Sequence, residues 1–374
     1  MSKVVRCISC GESSVTISEV LGLCADCIRS DFSRWKDRID SIHRKIRLED
    51  GLPQVVPRSE GGIKCRICGN ECRLDGGQTG YCGLRRAGDG GRLEFLSGSA
   101  SRGAVSWYLD PLPTNCVASW VCAGGSDCGY PGNSYAKGSE YGFYNLAVFY
   151  EACSLDCIFC QNWHYRTMKH RLKSAAELAG DVTEKVSCIC FFGGDPGPQV
   201  VHALAAARLA RRRMTGRILR ICWETNGNIS EKYLGAMVAE SMETGGTVKV
   251  DIKTWSNELS LALCGISNRR TYEVVGGLLD RSRLRSEPPL FVASTLLVPG
   301  YIDEKEVRSI AGFIASVNPD VPYSLLGFAP SFWMSDMPPT SLDHAERCLE
   351  AARSAGLRRV HIGNRHLLGK DYAC

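Results

Sequence analysis

The chain has 374 residues, enough for one large domain with small modules, and its 45 lysines and arginines against 40 acidic residues leave a mild formal charge of +5. That balance does not imply a nucleic-acid partner and leaves the question open. The N-terminus lacks the regions of a secretion signal and no apolar run is long enough to span a bilayer, so no membrane partner is expected. The 20 cysteines therefore point to thiol-bound metal in a reducing cytoplasm, as in an anaerobe, rather than to a disulfide framework.

In chain order, Cys7-x2-Cys10 and Cys24-x2-Cys27 come first. Paired thiolates at this spacing close a tetrahedral site whose usual occupant is zinc. Gly11 and Gly22 beside the pairs supply the permissive backbone of tight knuckle turns. The pattern predicts a zinc ribbon with a structural role; recruitment of nucleic acid or protein is the sharper alternative. Phe32, Trp35, Ile39, Ile42 and Ile46 recur at helical spacing and predict a helix over residues 30–49, followed by a linker at 51–57. A second set, Cys65-x2-Cys68-x3-Cys72-x9-Cys82, encloses a turn-rich loop at 75–80. Four soft ligands suit zinc or an iron–sulfur cluster, and the spacing does not choose. Cys116, Cys122 and Cys128 follow among glycines. They fit an auxiliary iron–sulfur cluster completed by an outside ligand, or thiols lining a substrate loop.

The apolar run 145–150 predicts a buried strand, and directly after it stand Cys153-x3-Cys157-x2-Cys160. Three thiolates hold three irons of a cubane and leave the fourth open, as an open position marks a catalytic metal site. From here strands and helices alternate. Strands are predicted at 186–192, 217–223, 247–252, 290–298, 321–328 and 357–362; helices at 199–212, 230–243, 268–281, 304–317 and 342–355. The alternation predicts an α/β fold, a partial (β/α)6 TIM-like barrel whose chemistry collects on the loops after the strands. Three divisions are expected: residues 1–50 as ribbon and connecting helix, 60–140 as a Cys-rich extension of the catalytic domain, and 141–374 as the partial barrel. Among the strand ends, Gly193 and Gly194 would let a ligand approach the backbone, and Asp195 offers a carboxylate to a cationic group. Asp251 and Lys253 stand two apart on an extended segment and so share a face. Cys188 and Cys190 share one face of a strand and read as core packing. Arg211–Arg213 read as a solvated helix end favoured by the dipole, and Trp163 and His164 as structural neighbours of the triplet.

The triplet with Phe159 before its last cysteine resembles the radical SAM enzymes. Within them, the phrase Cys157-Ile-Phe-Cys-Gln-Asn-Trp163 is similar to uncharacterised relatives of the pyruvate formate-lyase activating enzyme branch. Gly80-Tyr-Cys-Gly-Leu-Arg85, the Asp110-Pro-Leu stretch, Val298-Pro-Gly-Tyr-Ile-Asp303, the phrase at 335–340 and His361-Ile-Gly-Asn364 also resemble those relatives, which usually lack Cys116, Cys122 and Cys128. The resemblance runs over about residues 62–366. It implies a 4Fe–4S cluster on Cys153, Cys157 and Cys160, with S-adenosylmethionine on the open iron, cleaved to methionine and a 5'-deoxyadenosyl radical that abstracts hydrogen. Gly193, Gly194 and Asp195 match the segment that holds the amino group of S-adenosylmethionine in the family, with Asp for Glu. Thr225 and Asn226 match the family's Thr-Asn-Gly. Asp251 and Lys253 match the Asp-x-Lys that contacts ribose and carboxylate. The branch implies an electron donor such as ferredoxin or flavodoxin, and a protein substrate, as in glycyl radical activation. The alternatives are RNA or a small metabolite modified by the same chemistry, or a non-catalytic metal-binding or electron-transfer adaptor.

Overall fold

The computed structural model describes residues 3–168 and 171–372. Among the described residues the largest sheet has nine strands: β1 (Gly103–Pro111), β2 (Tyr144–Tyr150), β3 (Leu172–Lys173), β4 (Val186–Gly193), β5 (Arg220–Thr225), β6 (Val248–Asp251), β7 (Phe291–Leu297), β8 (Tyr323–Gly327) and β9 (Val360–Gly363). Their order across the sheet is β9-β8-β7-β6-β5-β4-β2-β1-β3. From β2 to β9 the neighbours are parallel, while β1 runs antiparallel to β2 and β3 to β1. Parallel neighbours taken in sequence order need crossover helices. These are α3 (Ala175–Gly180), α4 (Val200–Arg213), α5 (Glu231–Thr244), α6 (Asn257–Cys264), α7 (Arg269–Ser282), α8 (Glu304–Val317) and α9 (Leu342–Ser354). Two further helices, α1 (Ala25–Ser30) and α2 (Phe32–Glu49), precede the sheet. No helix among the described residues is long and apolar enough to cross a membrane.

Local chemistry sets the helix ends. Ser174 and Glu177 form a capping box at α3, Asp303 accepts from the amides of Lys305 and Glu306 at α8, and Ser341 from that of His344 at α9. The predicted strands and helices of residues 144–363 are present, with ends displaced by up to about three residues. Periodicity did not announce α3, α6 or β1. The last is a half-exposed strand ending in proline, suited to a strand near the sheet edge. Because β1 pairs with β2 from Val105–Tyr150 to Pro111–Tyr144, the sheet runs across the division expected at residue 141.

The N-terminal module packs against the loop after β7. The Tyr301 hydroxyl accepts from the Ser18 amide (3.0 Å) and donates to the Leu23 carbonyl (2.9 Å). Arg29 of α1 reaches Asp303 at 3.1 Å and the buried Glu306 at 3.3 Å. Tyr301→Phe leaves both Ser18 N–H and Leu23 C=O without this partner. It is expected to cost about 1–3 kcal/mol, read as a lower denaturation midpoint with faster hydrogen exchange in the first thirty residues; an unchanged midpoint and exchange pattern would contradict the docking.

Candidate active site

Beyond β2 the chain turns sharply, with Ala152 at φ +69°, and delivers Cys153, Cys157 and Cys160 on one loop. That loop is pinned to the C-terminal end of α6: the amides of Asp156 and Ile158 donate to the carbonyls of Cys264 (2.8 Å) and Leu263 (2.9 Å). The Cys153 sulfur accepts from the Leu155 amide at 3.4 Å and from the Asn226 side-chain amide at 3.3 Å. Burial pushes the Cys153 thiol well up and that of Cys160 up to about 12.

Asp156, between the first two cysteines, is fully buried. Its carboxylate accepts from Arg166 (2.6 Å), from Arg47 (3.3 Å) and from His43 Nδ1 (2.8 Å). Burial by itself would raise this carboxyl. The His43 hydrogen bond and then the Arg166 and Arg47 charges outweigh it and bring it down to about 2. His43 Nε2 also faces the Ala262 carbonyl of α6 at 3.1 Å. Arg47 donates to the Pro53 and Tyr81 carbonyls, and its guanidinium lies over the Tyr81 ring at 3.4 Å. One buried carboxylate thus ties the cysteine loop to α2, to the segment after it and to the 65–82 knuckle. Sequence reading took α2 as a connecting helix and missed this role. A histidine and an arginine four residues apart (His43, Arg47), one helical turn, were the available signal.

The C-terminal ends of the parallel strands surround a cavity of about 440 Å³. Cys153, Cys157, Cys160, Gly193, Gly194, Asp195, Thr225, Asn226, Asp251 and Lys253 all line it. Their individual work differs from the sequence expectation in places. A Cβ at Gly193 (φ +117°) would lie 2.4 Å from the Tyr150 backbone, and one at Gly194 2.3 Å from the Ala152 carbonyl. What approaches these glycines most closely is therefore the chain itself. Asp195 is buried with both oxygens engaged, by the amides of Gly197 (2.6 Å) and Asn226 (2.7 Å) and by the Thr225 hydroxyl (3.1 Å). Burial raises its pKa to about 6 against the pull of those donors. It clasps the β4 and β5 ends together, both of its oxygens already accepting from the protein. Asp251 and Lys253 do share a face and pair with each other. Asp251 Oδ1 remains buried with no partner among the described residues. Burial disfavours the Lys253 ammonium, but the Asp251 carboxylate outweighs this and its pKa is raised.

The other cysteines separate by geometry. Cys7, Cys10, Cys24 and Cys27 bring their sulfurs within 4.8 Å of one another, the only such set among the described residues, with Gly11 and Gly22 at φ +81° and +66°. Cys65, Cys68, Cys72 and Cys82 are spread more widely. Their knuckle supports the cavity from outside: the Asn70 amide donates to the Ser154 carbonyl (2.7 Å), and its carbonyl oxygen accepts from Asn228 (3.0 Å). Cys128 stands apart with Glu287 and Arg359. Trp163 and His164 stack on each other at 4.0 Å. Arg211 meets Glu240 at 2.6 Å and Glu243 at 2.7 Å, so this helix end is paired with α5. Cys188 and Cys190 are buried in β4 as expected, but the face they share also meets Cys116, Cys122 and Cys222. Sequence reading missed that gathering, because its members come from distant parts of the chain.

Residues 147–314, the stretch that supplies most of the cavity wall, match the model of the radical SAM superfamily. The chain is 23% identical over 313 residues to an uncharacterised protein of Methanocaldococcus jannaschii, with 81% of each chain covered. It is similar to a solved domain of pyruvate-formate lyase-activating enzyme from Bacteroides vulgatus, with TM-score 0.37 and 18% identity over 47% of this chain and 98% of that one. It is also similar to SuiB of Streptococcus suis bound to S-adenosylmethionine, with TM-score 0.43 and 14% identity, covering 57% of this chain and 49% of SuiB. The chain thus spans about half the length of SuiB.

Replacing Asp156 by Asn keeps the shape, strands the Arg47 charge and leaves Arg166 with Asp50 alone, at 2.9 Å. Breaking a buried pair in this way costs about 3–5 kcal/mol. The variant is expected to unfold at a correspondingly lower denaturant concentration and to retain less iron after anaerobic reconstitution. Stability and iron content equal to those of the parent would show that the carboxylate does not hold the loop.

Proposed function

We propose, for a chain that carries a radical SAM domain over residues 147–314, that the cavity at the strand ends receives S-adenosylmethionine beside a 4Fe–4S cluster on Cys153, Cys157 and Cys160. One observation carries this reading: three thiols and residues from three further strand ends line a single cavity of about 440 Å³, a size suited to a small-molecule cofactor. When bound, the cluster supplies the electron that cleaves S-adenosylmethionine to a hydrogen-abstracting 5'-deoxyadenosyl radical.

The chain's own residues supply binding and orientation. The Asn226 amide and the Leu155 N–H, both aimed at the Cys153 sulfur, stabilise a thiolate there. The unpartnered Asp251 Oδ1 is placed to accept from a ribose hydroxyl, and the Lys253 ammonium to meet a carboxylate. Asp195 keeps the floor of the site in shape by holding the β5 end, and so acts as a positioning residue. An electron carrier has no need of such a cavity. The reaction class is therefore hydrogen abstraction, fed by a low-potential donor of the ferredoxin or flavodoxin kind. The substrate class that the activating-enzyme resemblance implies is a protein backbone or side chain. The Cys7–Cys27 quartet, whose four sulfurs leave no open position around a single ion, is assigned to structural zinc.

Lys253→Met keeps the stem and removes the charge. A hydrogen bond to a charged group contributes about 1.5–3 kcal/mol, so S-adenosylmethionine should bind about ten- to a hundredfold more weakly. Reductive cleavage to 5'-deoxyadenosine should fall while iron content stays at the parent level; wild-type affinity and rate would make the Asp251–Lys253 pair purely structural. For the quartet, Cys10→Ser with Cys27→Ser should lower zinc by about one equivalent per chain, measured by elemental analysis. Unchanged zinc, or loss of iron alone, would contradict the assignment.

A further inference from the structure

The strands of a parallel barrel fill their interior in layers, and branched aliphatic side chains usually dominate them. Here the layer beneath the cofactor cavity is built of thiols. Phe192, Glu224 and Asp251 line that cavity from β4, β5 and β6. Two residues earlier on the same strands, hence on the same face and about 7 Å lower, stand Cys190, Cys222 and Lys249, which line a second, smaller cavity of about 30 Å³. Cys188, Cys116 and Cys122 line it too. Cys190 and Cys222 are direct partners in the β4–β5 register. Segment 114–118 is the partition between the cavities. Asn115 and Val117 line the upper one, while Thr114, Cys116 and Ala118 line the lower.

Lys249 is the second anomaly. Its side chain is 1% exposed, and a buried ammonium needs anionic partners. It donates to the Cys190 sulfur at 2.7 Å and to the Cys116 sulfur at 3.1 Å, and lies 3.4 Å from Glu224. A cation against two sulfurs favours their thiolate form, the form that binds metal, over the neutral thiol. All five cysteines are free. Five thiols around a buried ammonium have no packing rationale inside a barrel, since five aliphatic side chains would fill the space without the ammonium.

We infer that Cys116, Cys190 and Cys222, with Cys122 and Cys188 around them, hold a soft metal through thiolate bonds directly beneath the S-adenosylmethionine cavity. The inference stands on the inner cavity and does not require that the upper site bind its cofactor as proposed. Soft thiolate sets select zinc, iron or an iron–sulfur cluster. The sulfurs are less tightly gathered than the Cys7 quartet, so the occupant is either an ion that draws them together or a small cluster that keeps them apart. Acid-labile sulfide distinguishes these two. Glu224, which lines the upper cavity and pairs with Lys249, would place the charge of the lower centre in contact with the wall of the upper one.

The test compares full-length protein, prepared anaerobically, with the Cys116→Ser, Cys190→Ser, Cys222→Ser variant. The variant is expected to lose about one metal equivalent or more per chain, while the zinc of the N-terminal quartet and the iron bound through Cys153, Cys157 and Cys160 stay at parent level. Metal content equal to the parent's would overturn the inference. Should the variant not fold, crystals of the wild-type chain give the answer independently. An anomalous-scattering peak among the Cys116, Cys190 and Cys222 sulfurs is expected at a metal edge. No peak there, or a disulfide between Cys190 and a neighbour, would overturn it.

Discussion

The buried carboxylate of Asp156 is the constraint on which the site rests. A loop that presents three thiols to one cavity has to be stiff, yet a loop has few backbone partners of its own. Here the stiffness comes from a charge placed inside the loop, between Cys153 and Cys157, and neutralised by Arg166 and Arg47 with His43 alongside. The geometry is costly to break at the carboxylate, because its loss leaves the buried Arg47 charge without an ionic counterpart. Two of the partners, His43 and Arg47, come from α2. The helix that leads out of the N-terminal module is therefore part of the wall behind the cysteines.

That arrangement gives the N-terminal region a physical reason to be present. Its first thirty residues dock on Tyr301, Asp303 and Glu306, after and within the crossover that follows β7. Its helix then crosses to the cysteine loop. The 65–82 knuckle holds the other side through Asn70, which touches both Ser154 and Asn228. Metal bound in these outer modules would thus stiffen the loops of the cavity from behind without entering it.

Much of this was legible in the sequence. The alternation of strands and helices gave the parallel sheet because those strands are buried on both faces and read as apolar runs; all seven residues of β7 are buried. The residues of the cavity were legible because strand-end loops in such a fold converge. What escaped was of two kinds. Roles within the cavity depend on which oxygen meets which donor, and the spacing of Asp195 could not reveal that Gly197, Thr225 and Asn226 already occupy it. Long-range gatherings escaped as well. Cys188 and Cys190 read as packing in isolation, and only the sheet register and the 112–122 loop bring Cys222 and Cys116 against them. The Asp156 network failed to appear for the same reason, since its partners lie 10, 109 and 113 residues away.

The central claim, that three cysteines on the loop after β2 hold a cluster that S-adenosylmethionine engages, is tested most directly by electron paramagnetic resonance on anaerobically reconstituted, reduced protein. The account predicts a reduced-cluster signal whose shape changes when S-adenosylmethionine is added, and the loss of that signal and response in a Cys153→Ala, Cys157→Ala, Cys160→Ala variant. The same signal with the same response in that variant would contradict it.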